Sequence, residues 1–187
     1  MFIQTESTPN PATLKFLPGQ QVLETGTMDF PAEEAAAQSP LATRIFSLDG
    51  VAGVFFGQDF ITVTKAEEAE WDHIRPAILG AIMDHFQSGD PVVMPDHTMG
   101  PAHAEHSGPD SDVVEQIKDL LDTRVRPAVA QDGGDITFQS YDDGIVYLHM
   151  QGACAGCPSS MLTLKMGIEN LLRHYIPEVS EVRPVAP

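Results

Sequence analysis

Cys154 and Cys157 are the only two cysteines in this 187-residue chain, and they stand close together in the run from Gly152 to Leu164. Two intervening residues let both sulfurs face one object: a metal ion, an iron-sulfur cluster or, on oxidation, each other. Gly152 and Gly156 keep bulk out of the loop, so that backbone amides can approach the sulfurs. Pro158 then suits the first turn of a helix. Cys157 is thereby expected at or just before a helix N-terminus, where unpaired amides and the positive end of the helix dipole stabilise a negatively charged sulfur.

Structural zinc usually takes four protein ligands, and an iron-sulfur cluster commonly takes four thiolates. One chain supplies two. His149 falls on the strand face opposite Val146, Leu148 and Met150, and His174 falls about four helical turns beyond Pro158, so neither is an easy third ligand. The count points to a site shared by two chains across a two-fold axis, each giving Cys154 and Cys157. A site at a subunit junction opens readily, which suits a carrier better than a permanent structural metal. A thiol-disulfide redox protein using the same pair is the competing reading. That class places its cysteines after a parallel strand in a βαβ unit, whereas a hairpin strand is read here. A zinc-binding interaction adaptor is the third, and the residues alone leave all three open.

With 27 acidic residues against 10 basic ones, the formal net charge is -17. Such a surface repels nucleic-acid phosphates and anionic lipid, so neither nucleic acid nor membrane is an expected partner. No apolar stretch approaches the roughly 20 residues of a spanning helix. Two cysteines do not make a secreted disulfide framework, and the opening residues lack a basic region followed by an apolar run. A soluble protein of a reducing compartment is expected: cytoplasmic, or of the mitochondrial matrix if a eukaryotic presequence has been removed.

The elements that must position the cysteines read as an α+β fold in two small domains joined by a flexible linker. Residues 1–88 give β-β-α-β-β-α: strands Phe2 to Glu6 and Thr13 to Leu17, a loop over 18–39, a helix opened by Ser39 and Pro40, strands Val51 to Phe56 and Phe60 to Thr64, and a helix from about Glu68 to Gln87. Pro76 either kinks that last helix or restarts it. Residues 89–110 are rich in proline and glycine and carry His97, His103 and His106, whose spacing marks no preformed metal site; a tether is the better account. Residues 111–187 give α-β-β-α-β. Ser111 or Asp112 caps the first helix, with Glu115 completing a capping box and Val113, Ile117, Leu120, Leu121 and Val125 as its buried stripe. Gly133 and Gly134 permit a tight reversal, and Asp132 and Asp135 read as turn residues rather than an acid/base pair. Strands Ile136 to Tyr141 and Ile145 to Met150 form a hairpin across Asp142, Asp143 and Gly144. A helix after Pro158 carries Met161, Leu164, Ile168, Leu171, Leu172 and Tyr175, and Val179 to Arg183 is a last strand.

Asp132-Gly133-Gly134-Asp135 followed by Gly152-Ala153-Cys154-Ala155-Gly156-Cys157-Pro158-Ser159-Ser160 resembles the C-terminal domain of NifU-like, Nfu-type iron-sulfur scaffold and carrier proteins. Thr8-Pro9-Asn10-Pro11, Thr13-Leu14-Lys15-Phe16, Val54-Phe55-Phe56-Gly57 and Asp59-Phe60-Ile61-Thr62-Val63 resemble runs of the Nfu N-terminal domain. The resemblance implies a protein that is not an enzyme. It implies a [4Fe-4S] cluster, one per homodimer, bound by Cys154 and Cys157 of each chain and handed to apo iron-sulfur proteins, with room for a [2Fe-2S] form on the way. It also implies that the first domain helps recognise recipients or the upstream assembly machinery.

Overall fold

The computed structural model describes residues 1–95, 103–105, 107–155 and 158–185, apart from the side chains of 158–160. His97, His106, Gly156 and Cys157 lie outside the described residues, as do the side chains of Ser159 and Ser160. The chain separates into two compact units, Met1–Gly100 and Pro101–Pro187.

The first unit is built on an antiparallel sheet ordered β1-β2-β5-β4-β3, from β1 (Gln4–Ser7), β2 (Thr13–Leu17), β3 (Met28–Phe30), β4 (Val51–Phe56) and β5 (Ile61–Lys65). The strand β3 and a 3-10 turn at Glu33–Gln38 fall in the stretch expected to be loop. Met28, Asp29 and Phe30 alternate apolar, polar, apolar, but three residues are too few for a period of two to stand out from the loop around them. Helix α1 (Pro40–Phe46) starts as expected: Ser39 Oγ accepts from the Ala42 amide at 3.0 Å, and Pro40 needs no donor. Helix α2 (Trp71–Ser88) runs through Pro76 without interruption and ends at Gly89, whose φ of 77° is cheap only for glycine. Both helices cover one face of the sheet, burying Phe16, Phe30, Leu41, Ile45, Phe56, Ile61, Ile78 and Ile82 in one core.

Part of the stretch expected to be a tether is fastened to this unit. Ser39 Oγ donates to the Val92 carbonyl at 2.5 Å, the Met94 amide donates to the Gln38 carbonyl at 2.9 Å, and Val92 and Val93 pack against the core.

The second unit opens with α3 (Ser111–Leu120), a π-helical turn at Leu121–Val125, and α4 (Arg126–Gln131), followed by β6 (Gly134–Asp142), β7 (Ile145–Gly152), α5 (Pro158–Tyr175) and β8 (Glu181–Val185). Asp110 takes the cap position of α3 and makes no side-chain cap bond, so the expected capping box at Ser111 or Asp112 does not form. The buried stripe is Val114, Ile117, Leu121, Val125 and Val129, with Val113 and Leu120 at its margin. The wider π turn precedes Pro127 directly and lets one stripe continue past it. β6 and β7 form the expected hairpin, with Asp143 at φ 45° and Gly144 at φ 82° making the left-handed pair of a tight turn.

The sheet is ordered β6-β7-β8, and β7 pairs with β8 in parallel, with α5 as the crossover. The loop bearing the cysteines therefore lies inside a β-α-β unit. The last strand starts two residues later than expected because the Val179 amide is used in a turn, donating to the Ile176 carbonyl at 3.1 Å.

Asp29, in β3 opposite Phe55, is pushed up to about 6 by burial, against a lowering hydrogen bond from the Phe30 amide. Its folded value lies above the ordinary 3.8, so the folded chain favours the protonated carboxyl. That contribution is complete below the unfolded value and is lost as pH rises through about 6. Asp29→Asn is therefore expected to raise the thermal midpoint relative to the parent at about pH 7.5, with the gain shrinking toward about pH 4. Thermal melts of both proteins across that range check it.

Candidate functional site

Cys154 lies just past the end of β7, and the chain reaches it through Gly152, whose φ is 62°. In the β6-β7 ladder Gly134 stands directly opposite Gly152, and the Ala153 amide donates to the Gly133 carbonyl at 3.2 Å. The start of β6 is thus the floor beneath the cysteine. A β-carbon on Gly134 would lie 2.5 Å from Cys154 Sγ, 2.8 Å from the Gln151 carbonyl oxygen and 3.0 Å from the Cys154 amide nitrogen. No side chain fits there. Only Gly133, at φ 81°, serves the tight reversal expected of the glycine pair; Gly134 makes room for sulfur.

Cys154 is only 5% exposed and belongs to the hydrophobic core of its unit, with Ile136, Met150 and Ile168 among the members. Burial pushes its thiol up to about 12, and the charges of Asp132 and Asp135 push the same way. The resting group is a thiol, and any metal that binds it must displace a proton.

Asp135 is the anchor of the floor. Its buried carboxylate accepts from Arg126 twice, Nε to Oδ1 at 2.8 Å and Nη2 to Oδ2 at 2.8 Å, and Oδ1 also accepts the Ile136 amide at 2.8 Å. Arg126 reaches Asp122 as well, Nη1 to Oδ1 at 2.9 Å. The hydrogen bonds it donates to Asp135, first of all, hold the guanidinium firmly charged despite its partial burial. For Asp122, burial works against ionisation, but the bonds from Arg126 and His103 outweigh it and hold the carboxyl below the usual range. Only Asp132 is the turn residue the sequence suggested; Asp135 is the second residue of β6, and its ion pair with Arg126 was missed. The signal was an arginine on the preceding helix, nine residues before the aspartate, in a chain short of basic residues.

Of the two candidate ligands, Cys154 is in place on this floor, and Cys157 lies outside the described residues, directly before α5 in sequence. His149 occupies the outer sheet face and His174 the far end of α5, away from the loop. Among the described residues no three His, Cys, Asp or Glu side chains come together to hold a metal. The donor chemistry of the loop, soft sulfur above a cradle that admits no β-carbon, fits thiolate-bound iron or zinc. The hairpin argument against a thiol-disulfide exchanger does not hold, because β7 belongs both to the hairpin and to a parallel β-α-β unit. What the structure opposes is Cys154 as the attacking thiol: an attacking cysteine is activated by a lowered pKa, and burial raises this one.

Residues 3–89 match the family model described as "Scaffold protein Nfu/NifU N terminal", and residues 117–183 match the "NifU-like domain". The human protein named "NFU1 iron-sulfur cluster scaffold homolog, mitochondrial" is 55% identical over 186 residues, which cover 99% of this chain and 72% of that protein. The chain belongs to the Nfu/NifU family of scaffold proteins. The Arabidopsis thaliana relative named "NifU-like protein 4, mitochondrial" is 53% identical over 184 residues, covering 97% of this chain and 65% of its own length. This chain thus spans roughly two thirds to three quarters of these two relatives. A solution structure of a NifU-like protein from Saccharomyces cerevisiae matches 51% of the chain at 28% identity and a TM-score of 0.47. Nfu/NifU proteins are scaffolds, not catalysts, so the loop is to be read as a place that holds something rather than one that transforms it.

In this Nfu/NifU chain, Gly134→Ala is expected to cost about 1–3 kcal/mol and to force the thiol outward, with faster iodoacetamide labelling of Cys154. Arg126→Gln leaves a buried carboxylate without its main partner and should cost roughly 3 kcal/mol. Denaturant unfolding, with labelling resolved by peptide mass spectrometry, checks both.

Proposed function

We propose that this chain is an iron-sulfur cluster scaffold and carrier that holds a [4Fe-4S] cluster between two copies of itself, through Cys154 and Cys157 of each, and passes it to apo-proteins. The observation that carries the reading is the cysteine count: two sulfurs per chain, on one strand-to-helix loop, where a cluster commonly takes four thiolates. The names of the human and Arabidopsis relatives support it, both being of Nfu or NifU type and the human one an iron-sulfur cluster scaffold. Their names, both of which end in "mitochondrial", also support a mitochondrial setting. No helix among the described residues is long and apolar enough to cross a membrane.

Burial of Cys154 gives the carrier its order of events. The sulfur lies beneath the surface in the single chain, so the loop from Gly152 must lift from the Gly133 carbonyl before two chains can share a cluster. Binding then takes a proton from the thiol and sets negative charge near Asp132 and Asp135, which oppose it. A site arranged this way holds its cargo only as long as the thiolate-iron bonds outweigh burial and repulsion. A recipient thiolate that bonds to a cluster iron replaces the Cys154–iron bond there, and the freed Cys154 sulfur takes a proton from water and returns to the core. The first unit, which carries no cysteine, is assigned to contact with recipients or with the upstream assembly machinery, and a [2Fe-2S] form is assigned to the path of loading.

Anaerobic reconstitution with iron and sulfide tests the reading. The parent is expected to gain the broad visible absorption of a thiolate-ligated cluster and to give up that cluster to an apo-acceptor. Cys154→Ala and Cys157→Ala should each abolish stable loading while leaving the fold intact. Loading that survives loss of either cysteine, or a preparation that takes up zinc alone, contradicts it.

A further inference from the structure

His103 lies in the stretch expected to be a free tether, yet both of its ring nitrogens are engaged. The Phe138 amide donates to Nδ1 at 2.8 Å, so Nδ1 is the acceptor, and Nε2 carries the proton that it shares with Asp122 Oδ1 at 2.9 Å. The next residue continues the contact: the Ala104 amide donates to the Phe138 carbonyl at 2.9 Å. β6 is an edge strand, with β7 on its other side. Residues 103 and 104 therefore occupy the N–H and the C=O that Phe138 presents on the open edge, next to the break in register between Phe138 and Ser140. The His103 side chain is only 9% exposed.

Asp122 Oδ1, which accepts from His103, also accepts from Arg126 Nη1 at 2.9 Å. The remaining Arg126 donors grip Asp135, and Asp135 follows the glycine on which Cys154 Sγ rests. Asp122 itself is 48% exposed, so its position depends on the two groups that tie it down. A continuous line of hydrogen bonds thus runs from the segment entering this unit to the floor of the cysteine.

We propose that residues 103 and 104 form a clasp on the outer edge of β6, and that His103 is a positioning residue that keeps the Cys154 thiol seated through Asp122, Arg126 and Asp135. With the clasp closed, the thiol is withheld; with it open, Asp122 swings free, Arg126 loses one of its two carboxylate partners, and the floor loosens. The value of this to a carrier rests on Cys154 being a cluster ligand, but the clasp itself is measurable in apo-protein.

The test is the rate at which Cys154 of the 187-residue apo-chain reacts with iodoacetamide, read peptide by peptide, beside the thermal midpoint of each variant. In His103→Asn the amide oxygen can still take the Phe138 bond, but the side chain is too short to reach Asp122. In His103→Gln the amide nitrogen can replace Nε2 at Asp122. The expected result is labelling at least about threefold faster in His103→Asn, labelling close to the parent in His103→Gln, and no further acceleration when Asp122→Ala is added to His103→Asn, because the two lie on one line of coupling. Equal acceleration in both His103 variants, in step with lost stability, would reduce His103 to a structural residue and overturn the proposal. An unchanged rate in His103→Asn overturns it as well. If His103→Asn does not fold, Asp122→Ala alone carries the test with the same expected acceleration. Failure of the parent to load a cluster would sink the carrier reading and leave these labelling outcomes standing.

Discussion

The constraint on which this molecule turns is the space beside Gly134, where a β-carbon would come within 2.5 Å of Cys154 Sγ. Sulfur can be buried there because residue 134 of the opposing strand is a glycine, and Arg126 and Asp135 fix the start of that strand. Either half alone would fail. A β-carbon would evict the thiol, and without the ion pair a buried carboxylate beside the glycine would stand without its main partner. The helical segment from α3 to α4 is thus a brace for one loop: its inner stripe fills the core, and Asp122 and Arg126 hold β6.

On the proposed reading, the burial of Cys154 suits a protein that gives its cluster away. A preformed, exposed dithiolate would bind the first soft cation it met. A thiol kept protonated by burial and by neighbouring carboxylates charges that cation for both desolvation and proton release. The same terms act in reverse on the loaded site, lowering the cost of release. On that reading, selectivity for a delivered cluster and readiness to surrender it both follow from one arrangement.

Much of the fold was legible because its signals are local. Ser39 and Pro40 cap a helix, Asp143 and Gly144 turn a hairpin, and Val146, Leu148 and Met150 alternate toward the core. The order of elements around Cys154 and Cys157 followed from these, and so did their family likeness. What escaped depends on contacts distant in sequence or too short for a period. Strand β3 has three residues, and its pairing with β4 is what makes it a strand. The parallel pairing of β8 with β7 is a matter of where α5 returns the chain, which no run of residues states. Gly134 was read for its backbone freedom, though its role is set by a sulfur 20 residues away in the chain, and His103 was read as part of a tether because both of its partners lie in other elements.

Native mass spectrometry of the anaerobically loaded protein tests the central claim most directly, because it weighs protein, iron and sulfide in a single species. The account predicts two chains with one four-iron, four-sulfide cluster, and apo-chains when that cluster is removed. A single chain retaining a complete cluster would contradict it, since no third and fourth thiolate exist within one copy.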